Sequence, residues 1–239
     1  MKFKLYFATM SKNVVIAIDG PAGSGKSTLA KYIADKLGFL YLDTGAMYRA
    51  VTLDAIRRDV VDDEKKVTAI SETISLDMEY TDGVTHVFIN DEEVTDFIRT
   101  PEVNSYVSPV ARMAGVRKAL LELQQKFGEE RNLVVEGRDT TTVVFPNADI
   151  KIFMVATVEE RAARRLKELE ESGTKITFEE VKKNLEERDR IDSSRAIAPL
   201  KKAEGAFEID STSISVKDEF EKIVKKLAEI DKKFLSHLS

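Results

Sequence analysis

VVIAIDGPAGSGKST, residues 14–28, joins an apolar run to a glycine-rich turn that ends in Lys-Ser. Val14 to Ile18 reads as a central parallel strand, buried on both faces, and Leu29 to Leu37 repeats its apolar residues at helical spacing. Between them, Gly20-Pro-Ala-Gly-Ser-Gly25-Lys26-Ser27 matches Gly-x-x-x-x-Gly-Lys-Ser, the phosphate-binding P-loop pattern. The strand, loop and helix context gives the pattern its meaning. A loop there can wrap a phosphate so that backbone N–H groups and the positive end of the next helix face its oxygens. Gly20, Gly23 and Gly25 allow that path, Lys26 can reach the β- and γ-phosphates of a nucleotide, and the Ser27 hydroxyl can take a place on Mg²⁺.

Working outward, 239 residues with 43% apolar content suit one domain of alternating strands and helices with room for a small insertion. No cysteine is present, which excludes disulfides and thiolate metal sites. No apolar run approaches the roughly 18 residues of a membrane span, so a cytoplasmic setting is expected. A net charge of −5 argues against binding to polymeric nucleic acid, and any polyanion should be small and held by local arginines. Residues 1–12 have a short apolar patch, Leu5 to Ala8, too short for a signal peptide, and read as a disordered N-terminal extension to a domain over 13–239.

Two further strand ends carry polar residues. Phe39 to Leu42 runs into Asp43-Thr44-Gly45, with Arg49 shortly after, and strand ends are where open α/β sheets place ligands. Capping of the next helix explains Asp43 and Thr44 equally well. Leu133 to Val135 runs into Glu136-Gly-Arg138-Asp139, which makes Glu136 a candidate to support Mg²⁺ through a bound water. Ile150 to Val155 and Ala206 to Asp210 complete five strands, and Val216 to Leu235 forms a closing helix. From 62 to 99 the rhythm changes to a helix and a hairpin turning at Asp82-Gly83, which predicts a small inserted antiparallel lobe. Thr100 and Pro101 open a helix, and Pro109 is taken to open the next, which carries Arg117. Thr157-Val-Glu-Glu reads as a capping box, and Arg161, Arg164 and Arg165 beyond it read as a solvated face laced with ion pairs. Arg188, Asp192 and Arg195 can share one face of a later helix, either pairing with each other or forming a movable clamp on a phosphoryl group, and a lid is expected over about 160–197.

The predicted fold is α/β: a five-stranded parallel sheet with helices on both faces and an inserted β lobe. From Val14 to about Leu235 the chain resembles the bacterial cytidylate kinases, nucleoside-monophosphate kinases of the P-loop class. The resemblance rests on IDGPAGSGKST (18–28), LDTGAMYR (42–49), IRTPEV (98–103), EGRD (136–139), TVVFPNADIKIF (142–153), ERD (187–189), DSSRAIAPL (192–200) and IDSTSIS (209–215). It implies transfer of a phosphoryl group from MgATP to CMP or dCMP by a monomer. Residues 20–28, Gly20 through Thr28 with Pro21, Ala22 and Ser24 among them, would hold ATP. Thr44, Arg49, Arg138 and Arg195 would hold the CMP phosphate, Ser108, Arg117 and Asp139 the cytosine, and Arg188 with Asp192 the ribose. Lys26, Arg138, Arg188 and Arg195 would stabilise the transferring charge, with Ser27 and Glu136 on the Mg²⁺ side. Thr140-Thr141 stands where the family shows an apolar residue and then glycine, which predicts a different local turn. The alternatives are a small P-loop kinase with UMP, AMP or shikimate as acceptor, or a non-catalytic nucleotide switch.

Overall fold

The computed structural model describes residues 13–81, 84–130, 132–171 and 173–230. The extension expected over 1–12, the turn at 82–83 and the predicted end of the closing helix beyond 230 lie outside the described residues.

The main sheet has five strands, β1 (Val15–Asp19), β2 (Leu40–Asp43), β6 (Leu133–Gly137), β7 (Ile150–Val155) and β8 (Phe207–Asp210). Their spatial order is β2-β6-β1-β7-β8, and every pairing is parallel. β1 is central because it can be buried on both faces. Ile16 and Ile18 point into one core with helix α1 (Lys26–Leu37) and the last helix, α8 (Val216–Ile230). Ala17 points into the other core, with α2 (Thr44–Arg57). Ile16, Ala17 and Ile18 are all fully buried, and each isoleucine contributes about 1.5–3 kcal/mol through its burial. The layers therefore follow from alternation along one apolar strand.

Local signals set the boundaries. Gly38 ends α1 in a left-handed conformation, φ 74°, and donates to the Ala34 carbonyl. Thr100 caps α4 (Pro101–Val110) by accepting from Val103 N–H at 3.3 Å. Pro109 belongs to the last turn of α4 and does not open the next helix, α5 (Ala114–Glu130), as expected from sequence. As a proline it offers no N–H to the Ser105 carbonyl four residues back, and α4 ends one residue later. The stretch over about 160–197, where a lid is expected from sequence, is built of two helices, α6 (Val158–Glu171) and α7 (Phe178–Ser194). The closed capping box is at the start of α7, where Thr177 and Glu180 bond reciprocally. At Thr157 only half of one forms: Glu160 N–H bonds the threonine at 3.3 Å, while the Glu160 carboxylate is taken by Arg164 at 2.9 Å.

The insertion consists of α3 (Glu64–Thr73) and a separate antiparallel sheet of β3 (Leu76–Thr81), β4 (Val84–Ile89) and β5 (Glu92–Glu93). Alternate residues Leu76, Met78, Val87 and Ile89 face inward and join the core that also holds Met47, Val51 and Val135. His86 is a partly exposed residue paired with Glu93 at 2.7 Å. Among the described residues no helix is long and apolar enough to cross a membrane.

Candidate active site

The ends of β1, β2 and β6 open onto one cleft of about 540 Å³. Its lining includes Ala22, Gly23, Gly25, Lys26, Ser27 and Thr28 of the loop, together with Glu136. Thr44, Arg49, Ser108, Arg117, Arg138, Asp139, Arg188, Asp192 and Arg195 line it as well, so the structure brings every expected acceptor-side residue to one place. Gly20, Pro21 and Ser24 stand behind the loop surface. Gly20 must be glycine because a Cβ there would collide with the Met154 carbonyl oxygen. Basic side chains outnumber acidic ones two to one along the cleft, in a chain whose net charge is −5. The cleft is thus a local trap for a polyanion.

Lys26 is buried, and its Nζ donates to the Pro21 carbonyl at 2.6 Å and to Ser24 Oγ at 3.4 Å. Burial, with Arg138 adding repulsion, pulls its pKa down to about 7 against the attraction of Glu136, Asp19 and Asp192. Glu136 is buried beside it and accepts from the Tyr41 hydroxyl at 2.6 Å. Burial and the Asp43 charge raise its pKa, while Lys26 and hydrogen bonds from Ser27 and Tyr41 oppose the rise. A hydroxyl and a crowded carboxylate side by side fit Mg²⁺, which takes one or two protein ligands and completes its shell with water and phosphate oxygens. No group of three or more His, Cys, Asp or Glu that could cage a metal exists among the described residues.

The acceptor side is a cluster of guanidinium groups. Arg138 Nε donates to Asp192 at 2.8 Å. Burial lowers the Arg138 pKa, but the Asp192 charge and hydrogen bond outweigh it and hold the group above its ordinary value. Burial pulls Arg188 down to about 10, helped by repulsion from Arg138 and Arg49. Arg49 and Arg195 are also lowered, burial being the main cause. The Nε atoms of both are buried with no hydrogen-bonding partner. Unpartnered buried donors on crowded cations favour an anion strongly. The grouping of Arg188, Asp192 and Arg195 inferred from helical spacing is modified, since Asp192 bonds Arg138 on a different element and Arg195 donates to the Ala198 carbonyl at 2.8 Å. Asp43 is a helix cap, accepting from Ala46 N–H at 3.0 Å, and Thr44 Oγ1 donates to the Glu136 carbonyl at 2.7 Å.

Arg117 and Asp139 form a buried ion pair, and the guanidinium also lies 5.6 Å from the centre of the Tyr48 ring. Burial pushes the Asp139 pKa up, and Arg117 counters it. The segment that follows forms a single π-type turn over Thr140–Val144. The buried Asp19 carboxylate, at the end of β1, accepts from the backbone N–H and the hydroxyl of both Thr140 and Thr141, at 2.6–2.8 Å. The two threonines thereby anchor the segment that carries Arg138 and Asp139. In Asp19→Asn an amide N–H₂ would oppose one of those backbone donors, a mismatch of about 1–3 kcal/mol. At about 2–4 °C per kcal/mol for a chain of this size, the melting temperature is expected to fall by roughly 2–12 °C. An unchanged value in thermal unfolding would show that the anchor is idle.

Sequence periodicity missed three arginines. Arg165 pairs with Glu168 at 2.8 Å, as a face laced with ion pairs predicts, and both also border the cleft. Arg164 makes the expected pair with Glu160 at 2.9 Å but also reaches Ser211, its Nη2 meeting the carbonyl at 2.6 Å, and lines the cleft. Arg99 lines it too and donates to Asp43 at 3.2 Å. Arg161 is buried, contrary to expectation, and lies behind the loop. Close by, Glu219 is 4% exposed, and burial pushes its carboxyl up to about 7 against the pull of Arg164 and Lys222. Between its ordinary 4.5 and 7 the folded chain holds a proton that the unfolded chain has released, so stability falls as pH rises through that window. Glu219→Gln is expected to gain about 1–3 kcal/mol over the parent near pH 8 and almost nothing near pH 4.5. Denaturant unfolding at the two pH values checks this.

A P-loop at the end of a central parallel strand, facing arginines delivered from neighbouring strand ends and a helical hairpin, defines a P-loop phosphotransferase. The cytidylate kinase family model matches residues 16–229. The chain is 47% identical over 219 residues to a cytidylate kinase of Fusobacterium nucleatum, covering 91% of this chain and 99% of that protein. It is 48% identical over 221 residues to one of Listeria innocua (92% and 98%) and 45% identical over 226 residues to one of Bacillus licheniformis (94% and 99%). The chain belongs to the cytidylate kinase family and is an ATP-dependent phosphotransferase.

Proposed function

We propose that the enzyme transfers the γ-phosphoryl group of MgATP to CMP or dCMP, giving CDP or dCDP and ADP. The observation that carries this reading is the Arg117–Asp139 pair, a donor beside an acceptor, in the same cleft as the P-loop and the unpartnered Arg49 and Arg195 nitrogens. A cytosine edge presents the complementary acceptor at N3 and donor amine at C4.

In this reading Gly20 to Thr28 cradle the ATP phosphates. Thr44, Arg49, Arg138 and Arg195 hold the CMP phosphate, Ser108 with Arg117 and Asp139 hold the base, and Arg188 with Asp192 hold the ribose. Ser27 and, through water, Glu136 would hold Mg²⁺, which when bound neutralises charge on the donor phosphates. An oxygen of the CMP phosphate attacks the γ-phosphorus in line, the new P–O bond forms as the bond to the β,γ-bridging oxygen breaks, and ADP leaves with that electron pair. The attacking oxygen is already anionic near neutral pH, so no general base is needed. Lys26, Arg138, Arg188 and Arg195 work by position and charge. The substrates are cytoplasmic metabolites, so the reading places the enzyme in the cytoplasm.

The test is a coupled ADP-release assay with ATP, Mg²⁺ and, separately, CMP, dCMP, UMP, AMP and shikimate. Highest kcat/KM with CMP or dCMP is expected. Preference for AMP or shikimate, or no transfer to any acceptor, would overturn it. Asp192→Ala separates the ribose contact within the same assay: if the carboxylate accepts from the 2′-hydroxyl, CMP should lose about 10-fold more than dCMP. Equal losses would leave Asp192 as a partner of Arg138 alone.

A further inference from the structure

The geometry points to Arg161 as a positioning residue for the phosphate loop, held in turn by Asp189 of the acceptor-side helix α7. This rests on the donor being ATP bound at the P-loop. A loop whose N–H groups turn inward to an anion turns its carbonyls outward, and each outward carbonyl near the interior needs a donor. The structure supplies them one by one. Pro21 O receives Lys26 Nζ at 2.6 Å, Ser24 O receives the Ser211 hydroxyl at 2.9 Å, and Gly25 O receives Leu29 N–H at 3.0 Å. Ala22 O receives Arg161 Nη1 at 3.1 Å.

Arg161 is suited to this role. It is 5% exposed, its Nε donates to the Ala156 carbonyl at 3.2 Å, and its Nη2 pairs with Asp189 at 2.7 Å. One planar fork therefore ties the loop, the end of β7 and α7 together, which a lysine ammonium on a single flexible stem cannot do. A Cβ on Gly23 would lie 3.2 Å from Arg161 Cβ, so helix α6 stands directly against the loop at its tip. The same hairpin packs Ala162, Val181 and Leu185 around Ala22. Asp189 adjoins Arg188, which lines the cleft, while neither Arg161 nor Asp189 does. Arg161 thus reaches substrate only through the loop it shapes, and α7 is joined to the donor cradle by an ion pair.

The experiment measures kcat, KM for ATP and KM for CMP in the parent enzyme, Arg161→Met, Arg161→Lys and Asp189→Asn, with ATP binding followed directly by calorimetry. Losing one charge-assisted hydrogen bond to the loop is expected to raise KM and Kd for ATP by about 10-fold or more in Arg161→Met. KM for CMP at saturating ATP should move less than about 3-fold, and Arg161→Lys should recover part of the loss. Asp189→Asn keeps the arginine and its two carbonyl bonds, so it is expected to fold and to raise KM for ATP by about 3- to 10-fold. It carries the test if Arg161→Met fails to fold. Equal changes in the two KM values, a fall in kcat alone, or unchanged ATP affinity in Asp189→Asn would overturn the assignment. A parent enzyme that fails to phosphorylate CMP yet still loses ATP affinity in these variants would overturn the proposed function and leave the positioning role standing.

Discussion

Replacing Lys26 by Met is expected to lower kcat by about 100- to 1,000-fold, the usual effect of deleting one donor from a preorganised transition-state site, while raising the melting temperature at neutral pH. The two effects share one cause. Lys26 sits where burial has brought its pKa to about 7, so the fold bears the strain of a desolvated ammonium that is needed only when polyphosphate is present. Removing a buried ammonium relieves the desolvation that lowers its pKa, about 1.4 kcal/mol for each pH unit of lowering. Losing the bond to Pro21 O at 2.6 Å offsets part of that. The sign with pH is distinct. From pH 7 to 10.5 the folded chain has released a proton that the unfolded chain retains, so parent stability rises with pH and the advantage of methionine shrinks to nothing. Thermal unfolding at several pH values, with kcat for each protein, checks both halves. A variant retaining more than a tenth of parental kcat would remove Lys26 from the charge-stabilising set.

The second large effect concerns the base. Cytosine and uracil have the same shape and differ at N3 and C4, so only hydrogen-bond polarity can separate them. With Arg117 donating to N3 and Asp139 accepting from the amine, uracil would set N3–H against a guanidinium and a C4 carbonyl against a carboxylate. Both groups are buried, Arg117 8% and Asp139 5% exposed, so water cannot repair the mismatch. Each buried unpaired group costs about 1–3 kcal/mol, more when charged, which puts CMP ahead of UMP by at least roughly 100-fold in kcat/KM. Asp139→Asn should narrow this gap, since an amide can turn a donor to the uracil carbonyl. The ion pair with Arg117 shows that the same variant also frees the guanidinium. kcat/KM for both nucleotides in parent and variant decides it, and an unchanged ratio would mean that Asp139 does not read the base.

Sequence pattern carried the main sheet because β1, β2 and β6 are short apolar runs ending in polar turns and β7 is apolar but for Lys151, a signal that depends on burial alone, while β8, Phe-Glu-Ile-Asp, shows only alternation. The P-loop, Thr44, Glu136, Arg138 and Asp139 were legible for the same reason, standing where those runs stop, whereas Ser108 and Arg117 lie on helices and were found only through the family resemblance. What escaped was contact between elements. Helical spacing placed Asp192 beside Arg188 and Arg195 on α7, but its hydrogen-bonding partner, Arg138, comes from the end of β6. Periodicity put Arg161 among solvated charges because its neighbours Arg164 and Arg165 do find acids one turn away. A signal was present nonetheless: Arg161 follows Val158 by three and adjoins Ala162, on the stripe that continues to Leu166 and Leu169. A charged residue in phase with a buried stripe calls for a partner inside. Asp19 offered a similar cue, as an acid closing a strand that is otherwise wholly apolar, and its four donors come from residues more than a hundred positions away.

The parallel register has one more consequence. Asp19 lies opposite Gly137 across β1 and β6, and Asp43 lies opposite Glu136 across β2 and β6, so the segments serving donor and acceptor spring from adjacent strand ends. Neighbouring strands stand about 4.8 Å apart whatever their side chains. The sheet therefore acts as a ruler, fixing the span between the two phosphates through backbone pairing and not through any residue that reads a base. On the proposed reading, base recognition would be borne elsewhere, by Arg117 on α5, by Ser108 on α4 and by Asp139 beyond the strand. Substitutions among those three residues can redirect the enzyme to a new acceptor while the distance over which the phosphoryl group travels stays the same, a separation that lets selection alter specificity without rebuilding the reaction.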